Sequence, residues 1–370
     1  MDPLCQDYRQ IYARRHEIAN RLRSEGKRIL GYFTVHVPEE IIHASGMIPV
    51  RMRGHAEAVK SASLCLNDFV CSYAKTCLDL GLQGTYNYLD GIVFAKTCDV
   101  MRNLYAIWLS NVSLPYSWFL PLPASDGDEA VECFRKDLEE FARSLEAHTG
   151  RTVDHASLRR SIGLYNQNRN LLRRLYALRA EDPPQVSGSD ATAMAMAGLV
   201  IPREAHNRLL EEFLAGIRRQ NDRAGKRPRL FMYGNSFESL EIIEALERAG
   251  ADVVMDYLEI GLQYFWQDVA EDGDPLRALA ARYTRGIPAP WHTAFDRMKG
   301  VIAGWLEQYR VGGVVAVVQK YCDTYLYDIP DMEKTLQGMG IPFLMIEQDD
   351  STRATGQLMT RIEAFVEMIS

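Results

Sequence analysis

Two buried strands that each run out into a cysteine and an aspartate constrain this chain more than any other feature. They are Gly91-Ile-Val-Phe-Ala-Lys-Thr-Cys98-Asp99 and Gly313-Val-Val-Ala-Val-Val-Gln-Lys-Tyr-Cys322-Asp323. In open α/β sheets, ligands collect in the crevice beyond the carboxyl ends of the strands. A thiol that opens the next helix is biased toward thiolate by the aligned amide dipoles. The pattern therefore predicts two thiols at a crevice able to hold a metal cluster.

The segments leading to these strands also resemble one another in plan. Arg28-Ile-Leu-Gly-Tyr-Phe33 reads as a strand, followed by a helix from Pro38 to Gly46 and a second strand, Ile48-Pro-Val-Arg-Met52. Proline at the first helical position, acids in the first turn and glycine past the end are helix punctuation. Leu230-Phe-Met-Tyr233, a helix from Phe237 to Ala249, Gly250 and Asp252-Val-Val-Met255 repeat the plan. Two βαβ units predict an α/β protein with two Rossmann-like parallel-sheet domains, joined by a helical region, with a cluster at the inter-domain crevice. The expected divisions are 1–125 for the first α/β domain, 126–226 for the helical connection and 227–370 for the second. Helical spacing over Asp128–Leu145, Ala156–Ala180 and Arg203–Ala224 supports the connection, with Pro183–Ser189 as a linker. The strand Phe343–Ile346 and an amphipathic helix over Thr360–Ile369 close the chain.

Charge and composition exclude several classes of function. A formal charge of −7 and no long basic run argue against a nucleic-acid surface. No apolar run approaches the roughly 18 residues that span a bilayer, and the first residues lack the basic start and apolar centre of a signal peptide. The expected compartment is the cytoplasm. The seven cysteines, at 5, 65, 71, 77, 98, 133 and 322, are odd in number and scattered, so they read as thiols or ligands and not as disulfides.

No phosphate loop of the G-x-x-x-x-G-K-[ST] type, dinucleotide fingerprint or H-E-x-x-H zinc site occurs. No ferredoxin-like run of cysteines occurs either, so an iron–sulfur cluster would need ligands distant in sequence. Cys71, in Asp68-Phe-Val-Cys-Ser-Tyr-Ala-Lys75, stands beside Cys98 and Cys322 as a candidate. Three thiolates on a cubane leave one iron open to substrate, which makes a catalytic cluster and not a wire.

Longer segments carry a resemblance. Gly31-Tyr-Phe-Thr-Val-His-Val-Pro-Glu-Glu-Ile-Ile-His-Ala-Ser-Gly-Met-Ile-Pro-Val50, Phe69-Val-Cys-Ser-Tyr73, Thr97-Cys-Asp-Val-Met-Arg-Asn-Leu104, Lys320-Tyr-Cys-Asp323 and Gly340-Ile-Pro-Phe-Leu344 together resemble the 2-hydroxyacyl-CoA dehydratase/benzoyl-CoA reductase family. The stretch from Cys98 to Trp108 and Leu158–Arg169 look most like catalytic subunits of ATP-dependent benzoyl-CoA reductases. The resemblance implies that Cys71, Cys98 and Cys322 ligate a [4Fe-4S] cluster. Cys65 and Cys77, which flank Cys71, take no role from the resemblance and leave a double-cubane cluster as the alternative. It implies low-potential electron transfer to an aromatic acyl-CoA, giving a cyclic dienoyl-CoA. The alternative is an (R)-2-hydroxyacyl-CoA dehydratase subunit that eliminates water through a ketyl radical. It further implies a related catalytic subunit, an ATP-hydrolysing iron–sulfur activator and a ferredoxin as upstream donor.

Proton donors are sought near the first strand. His36 lies in the loop before Pro38, from which an imidazole that titrates near neutrality can face the crevice. Thr34 is placed to hydrogen-bond a cluster sulfur or an iron-bound oxygen. Glu39 and Glu40 read as helix-start acids, and Asp99 and Asp323 as helix caps. Arg102, Trp108 and Tyr321 are candidates to line a thioester or aromatic pocket. Cys5, Cys65, Cys77 and Cys133 read as ordinary thiols.

Overall fold

The computed structural model describes residues 7–217, 226–235, 239–349 and 356–370. They build two parallel sheets. The first holds β1 (Ile29–Tyr32), β2 (Ile48–Arg51), β3 (Gly91–Ala95) and β4 (Ser117–Leu120) in the order β2-β1-β3-β4. The second holds β5 (Arg229–Gly234), β6 (Asp252–Leu258), β7 (Gly313–Gln319) and β8 (Phe343–Gln348) in the order β6-β5-β7-β8. The expected α/β class with two Rossmann-like halves is what the chain forms. In each half the chain leaves its first strand to one side and returns on the other, so a crevice opens between β1 and β3 and between β5 and β7.

Local chemistry explains the turns. Pro38 precedes the helix Glu39–Ala44, and Gly46, at φ +79°, turns the chain into β2. At the end of β5 a Cβ on Gly234 would lie 1.9 Å from the Val317 carbonyl oxygen, so only glycine lets β5 and β7 approach there.

Several elements differ in extent from the expectation. β6 runs beyond Met255 to Leu258, because Asp256, which interrupts the apolar run, is buried against Arg179 at 3.1 Å and the Tyr176 hydroxyl at 2.7 Å. The first long helix is Asp128–Thr149 and ends at Gly150, φ +71°; its polar last turn hides that end from an apolar count. The third is described over Arg203–Gly216, and residues 218–224 lie outside the described residues. The second half's first helix is Glu241–Arg248, while Ser236 and Phe237 lie outside the described residues. Pro183–Ser189 is not a free linker. Its Ser187 side chain accepts from the Asp190 amide and caps the helix Gly188–Ala197, in which every residue but Asp190 is buried.

The helices between the sheets divide their packing. Val131, Phe134, Leu138, Phe141 and Leu145, one stripe of Asp128–Thr149, join Leu30, Tyr32 and Val93 of the first sheet. Leu171, Leu172 and Leu175 of the helix His155–Ala177, with Met194 and Met196, join the second sheet. The helix Pro275–Arg285, which follows β6, crosses back and buries Leu276, Leu279 and Tyr283 in the first sheet's core. Each such side chain contributes about 1.5–3 kcal/mol on burial.

Glu39 and Glu40 do begin a helix, but they are buried as well. Glu39 meets Arg203 at 2.8 Å and accepts from the Tyr264 hydroxyl at 2.7 Å. Glu40 pairs with Arg169 and accepts from the Tyr283 hydroxyl at 3.1 Å. These pairs tie the first half to the long helices and to the segment after β6. Among the described residues no helix is long and apolar enough to cross a membrane.

Candidate functional site

The carboxyl ends of the strands in both halves open onto one cavity. Thr34 and His36 enter it after β1, Cys98 after β3, Asn235 after β5, Glu259 after β6 and Cys322 after β7. Cys71, at the start of the helix Ser72–Leu82, lines it too. Cys71, Cys98, Cys322, Thr34 and His36 thus line the same space, whereas Cys65 and Cys77, the added ligands of the double-cubane alternative, do not.

The three cysteines share a local position. Each is the residue immediately before the first turn of a helix: Cys71 before Ser72–Leu82, Cys98 before Asp99–Asn111 and Cys322 before Asp323–Leu326. The caps are therefore the cysteines and not Asp99 and Asp323. Cys98 Sγ accepts from the Met101 amide at 3.4 Å, while Asp99 is exposed and pairs with Arg102 at 3.3 Å. The expected thiolate bias is overruled in this setting. Burial pushes the Cys98 thiol up to about 11 although the Met101 and Val100 amides pull the other way, and burial also raises Cys322. Cys322 packs against the cores of both sheets, and Cys71 is 7% exposed.

Thr34 is held unusually. Its φ is +62°, an outlier for a β-branched residue, and such strain persists where the surroundings impose it. Here the imposing contact is the next amide, Val35, which donates to Glu259 Oε1 at 3.1 Å. The other carboxylate oxygen of Glu259 meets the fully buried Arg51 at 2.8 Å. The Thr34 hydroxyl, also buried, has no hydrogen-bond partner among the described residues. An unmet buried hydroxyl costs about 1–3 kcal/mol, which a ligand atom in the cavity would recover.

His36 is a neutral imidazole in this arrangement. Trp291 Nε1–H donates to its Nε2 at 3.0 Å, so its proton is on Nδ1. Burial lowers its pKa to about 4, against a smaller opposing pull from Glu259.

The other candidates stand elsewhere. Arg102 is on the outer surface, Trp108 is fully buried between Phe33 and Phe94, and Tyr321 packs edge-on against Phe69 at 5.5 Å outside the cavity wall. Cys77 is sealed in the first core, Cys65 Sγ lies 3.7 Å from Asn111 Oδ1, Cys133 is exposed, and Cys5 lies outside the described residues. Glu259, Gln263 and Trp291 were missed. Asn235 follows β5 much as Thr34 follows β1 and was legible from the repeated plan.

Among the described residues no three His, Cys, Asp or Glu side chains converge on a point where one metal ion could be chelated. A cluster makes a different demand, since each thiolate binds a separate iron. Three thiols around one cavity, with an unmet hydroxyl in the same lining, fit that demand.

The profile of the family described as 2-hydroxyglutaryl-CoA dehydratase, D-component, matches residues 34–369. The chain belongs to this family. Among curated members it is similar to a benzoyl-CoA reductase subunit of Thauera aromatica, 26% identical over 93% of this chain and 91% of that one. Lactoyl-CoA dehydratase subunit beta of Anaerotignum propionicum is 26% identical over 93% and 92%. (R)-2-hydroxyglutaryl-CoA dehydratase subunit beta of Acidaminococcus fermentans is 24% identical over 99% of each chain. The D-component family thus unites subunits of multi-component reductases and dehydratases whose names specify acyl-CoA compounds, as the resemblance implied.

Proposed function

We propose that this D-component family member is a catalytic iron–sulfur subunit of the benzoyl-CoA reductase type, with Cys71, Cys98 and Cys322 holding a [4Fe-4S] cluster. The supporting observation is that these three residues, remote in sequence, line one cavity with Thr34 and His36. When bound, such a cluster supplies low-potential single electrons to the acyl group of a CoA thioester. The chain's own residues frame that chemistry. The Thr34 hydroxyl offers a hydrogen bond into the cavity. Trp291 and the buried β-strand ends restrict water, and His36, neutral with its proton on Nδ1, presents a fixed polar edge. Glu259, 14% exposed at its side chain and charge-paired with Arg51, orients the Thr34–Val35 turn.

The proposal includes a related catalytic partner, an ATP-hydrolysing iron–sulfur activator supplied by ferredoxin, and a cytoplasmic setting. A second reading, an (R)-2-hydroxyacyl-CoA dehydratase subunit, is favoured by the lactoyl-CoA dehydratase relative, whose identity equals that of the reductase relative. The test is an anaerobic assay of the protein co-expressed with its catalytic partner and activator. Benzoyl-CoA consumed with stoichiometric electrons supports the reductase. Many turnovers of a 2-hydroxyacyl-CoA after one activation support the dehydratase, and neither activity in iron-loaded protein overturns both.

A further inference from the structure

Behind the His36–Trp291 pair lies a second, narrower pocket, which shares His36, Gln263 and Trp291 with the first. Its wall carries Arg282. The guanidinium lies over the Tyr283 ring at 4.5 Å, with Nε donating to the Gln267 carbonyl at 3.1 Å and Nη2 to the Tyr264 carbonyl at 2.7 Å. Among the described residues no carboxylate forms an ion pair with it. Glu40, the acid that bears on its charge, is already paired with Arg169. The same wall carries His292, nine-tenths buried. Its ring nitrogens face the Ser125 and Thr284 backbone.

A partly buried guanidinium that keeps its Nη1 edge toward a polar cavity is the surrounding an oxyanion needs. Arginine's planar fork matches carboxylate and phosphate in particular. Because the two spaces share His36, Gln263 and Trp291, an anion seated here can be the far end of a molecule whose reacting end lies beside the sulfurs.

We infer that the second cavity is an anion subsite of the substrate, in which Arg282 takes an oxyanion carried by the thioester. This inference rests on the acyl-CoA reading above. The oxyanion is either a carboxylate at the end of the acyl chain or a phosphate of CoA, and binding measurements separate the two.

Calorimetric titration of the full chain, co-purified with its catalytic partner, would use glutaryl-CoA, butyryl-CoA, free CoA, glutarate and inorganic phosphate. The proteins are wild type, Arg282→Gln and Arg282→Lys, each checked by its thermal midpoint. With an acyl carboxylate in the subsite, glutaryl-CoA binds roughly tenfold more tightly than butyryl-CoA, and Arg282→Gln erases the difference while Arg282→Lys keeps part of it. With a CoA phosphate, Arg282→Gln weakens glutaryl-CoA, butyryl-CoA and free CoA alike. If glutarate or phosphate binds in an Arg282-dependent way while no CoA compound binds, the anion subsite stands and the acyl-CoA reading falls. If no probe binds, or no substitution moves any affinity, the subsite is overturned. Should Arg282→Gln fail to fold, the lysine variant decides between these outcomes.

Discussion

The two halves of the molecule share a strand order and bring different chemistry to the same cavity. The first contributes two of the three sulfurs, Cys71 and Cys98, with Thr34 and His36; the second contributes one, Cys322, with Asn235, Glu259, Gln263 and Trp291. Positions past β3 and β7 are equivalent and both hold cysteine. Between β2 and β3 the first half adds a cysteine-capped helix, whereas between β6 and β7 the second adds Glu259, the returning helix Pro275–Arg285 and Trp291. A duplicated scaffold thus fixes where side chains meet. Its crossovers decide what they are.

The strongest test of that contrast is iron content. In anaerobically purified protein, Cys71→Ser, Cys98→Ser and Cys322→Ser are each expected to lose about four irons per chain, while Cys77→Ala keeps them. Wild-type iron in Cys71→Ser would break the division into two sulfurs and one. A smaller effect should come from the ties between the halves. Arg203→Met leaves Glu39 buried without its partner and is expected to cost about 3–5 kcal/mol in urea unfolding. A loss below about 1 kcal/mol would show that the halves do not depend on this pair.

The buried histidines give a pH-resolved contrast. Burial lowers His36 to about 4 and His206 to about 3, the latter helped by Arg203. An unfolded imidazole takes a proton near pH 6.5 and these folded ones do not, so the unfolded state binds more protons below that pH. Their contribution is complete above about pH 6.5 and declines as pH falls toward the folded values. Each group gives a slope of up to about 1.4 kcal/mol per pH unit. His206→Gln should flatten the unfolding profile between about pH 6 and 4.5 by about one proton; an unchanged slope would mean that the ring is protonated in the fold. The smallest effect belongs to Cys133→Ser, whose exposed thiol should change stability by under about 0.5 kcal/mol and iron content not at all.

Much of the frame was legible in the sequence because buried parallel strands are written as short apolar runs with glycine and proline at their borders. Cys98 and Cys322 were legible for the same reason, since they stand where such runs end. Cys71 follows no strand, so the strand pattern is silent on it, and the family resemblance is what sets it apart from the other scattered cysteines. Glu259, Trp291 and Arg282 were not legible. Their partners, Arg51, His36 and the Tyr264 and Gln267 carbonyls, come together through tertiary packing, and His36 lies 255 residues from Trp291. Asp256 misled the strand reading, because a lone acid in an apolar run looks like an ending until its buried arginine is known. The thiol ionisation failed for a related reason. A helix start favours thiolate, but the sequence does not say how deeply the sulfur is buried, and depth prevailed.

Cys322 rests against both cores at once, and this has a mechanical meaning. A change in the angle between the halves moves its sulfur relative to Cys71 and Cys98, which are rooted in the first core alone. The sulfur spacing is therefore a gauge of closure, and whatever spans all three thiols clasps the two halves together.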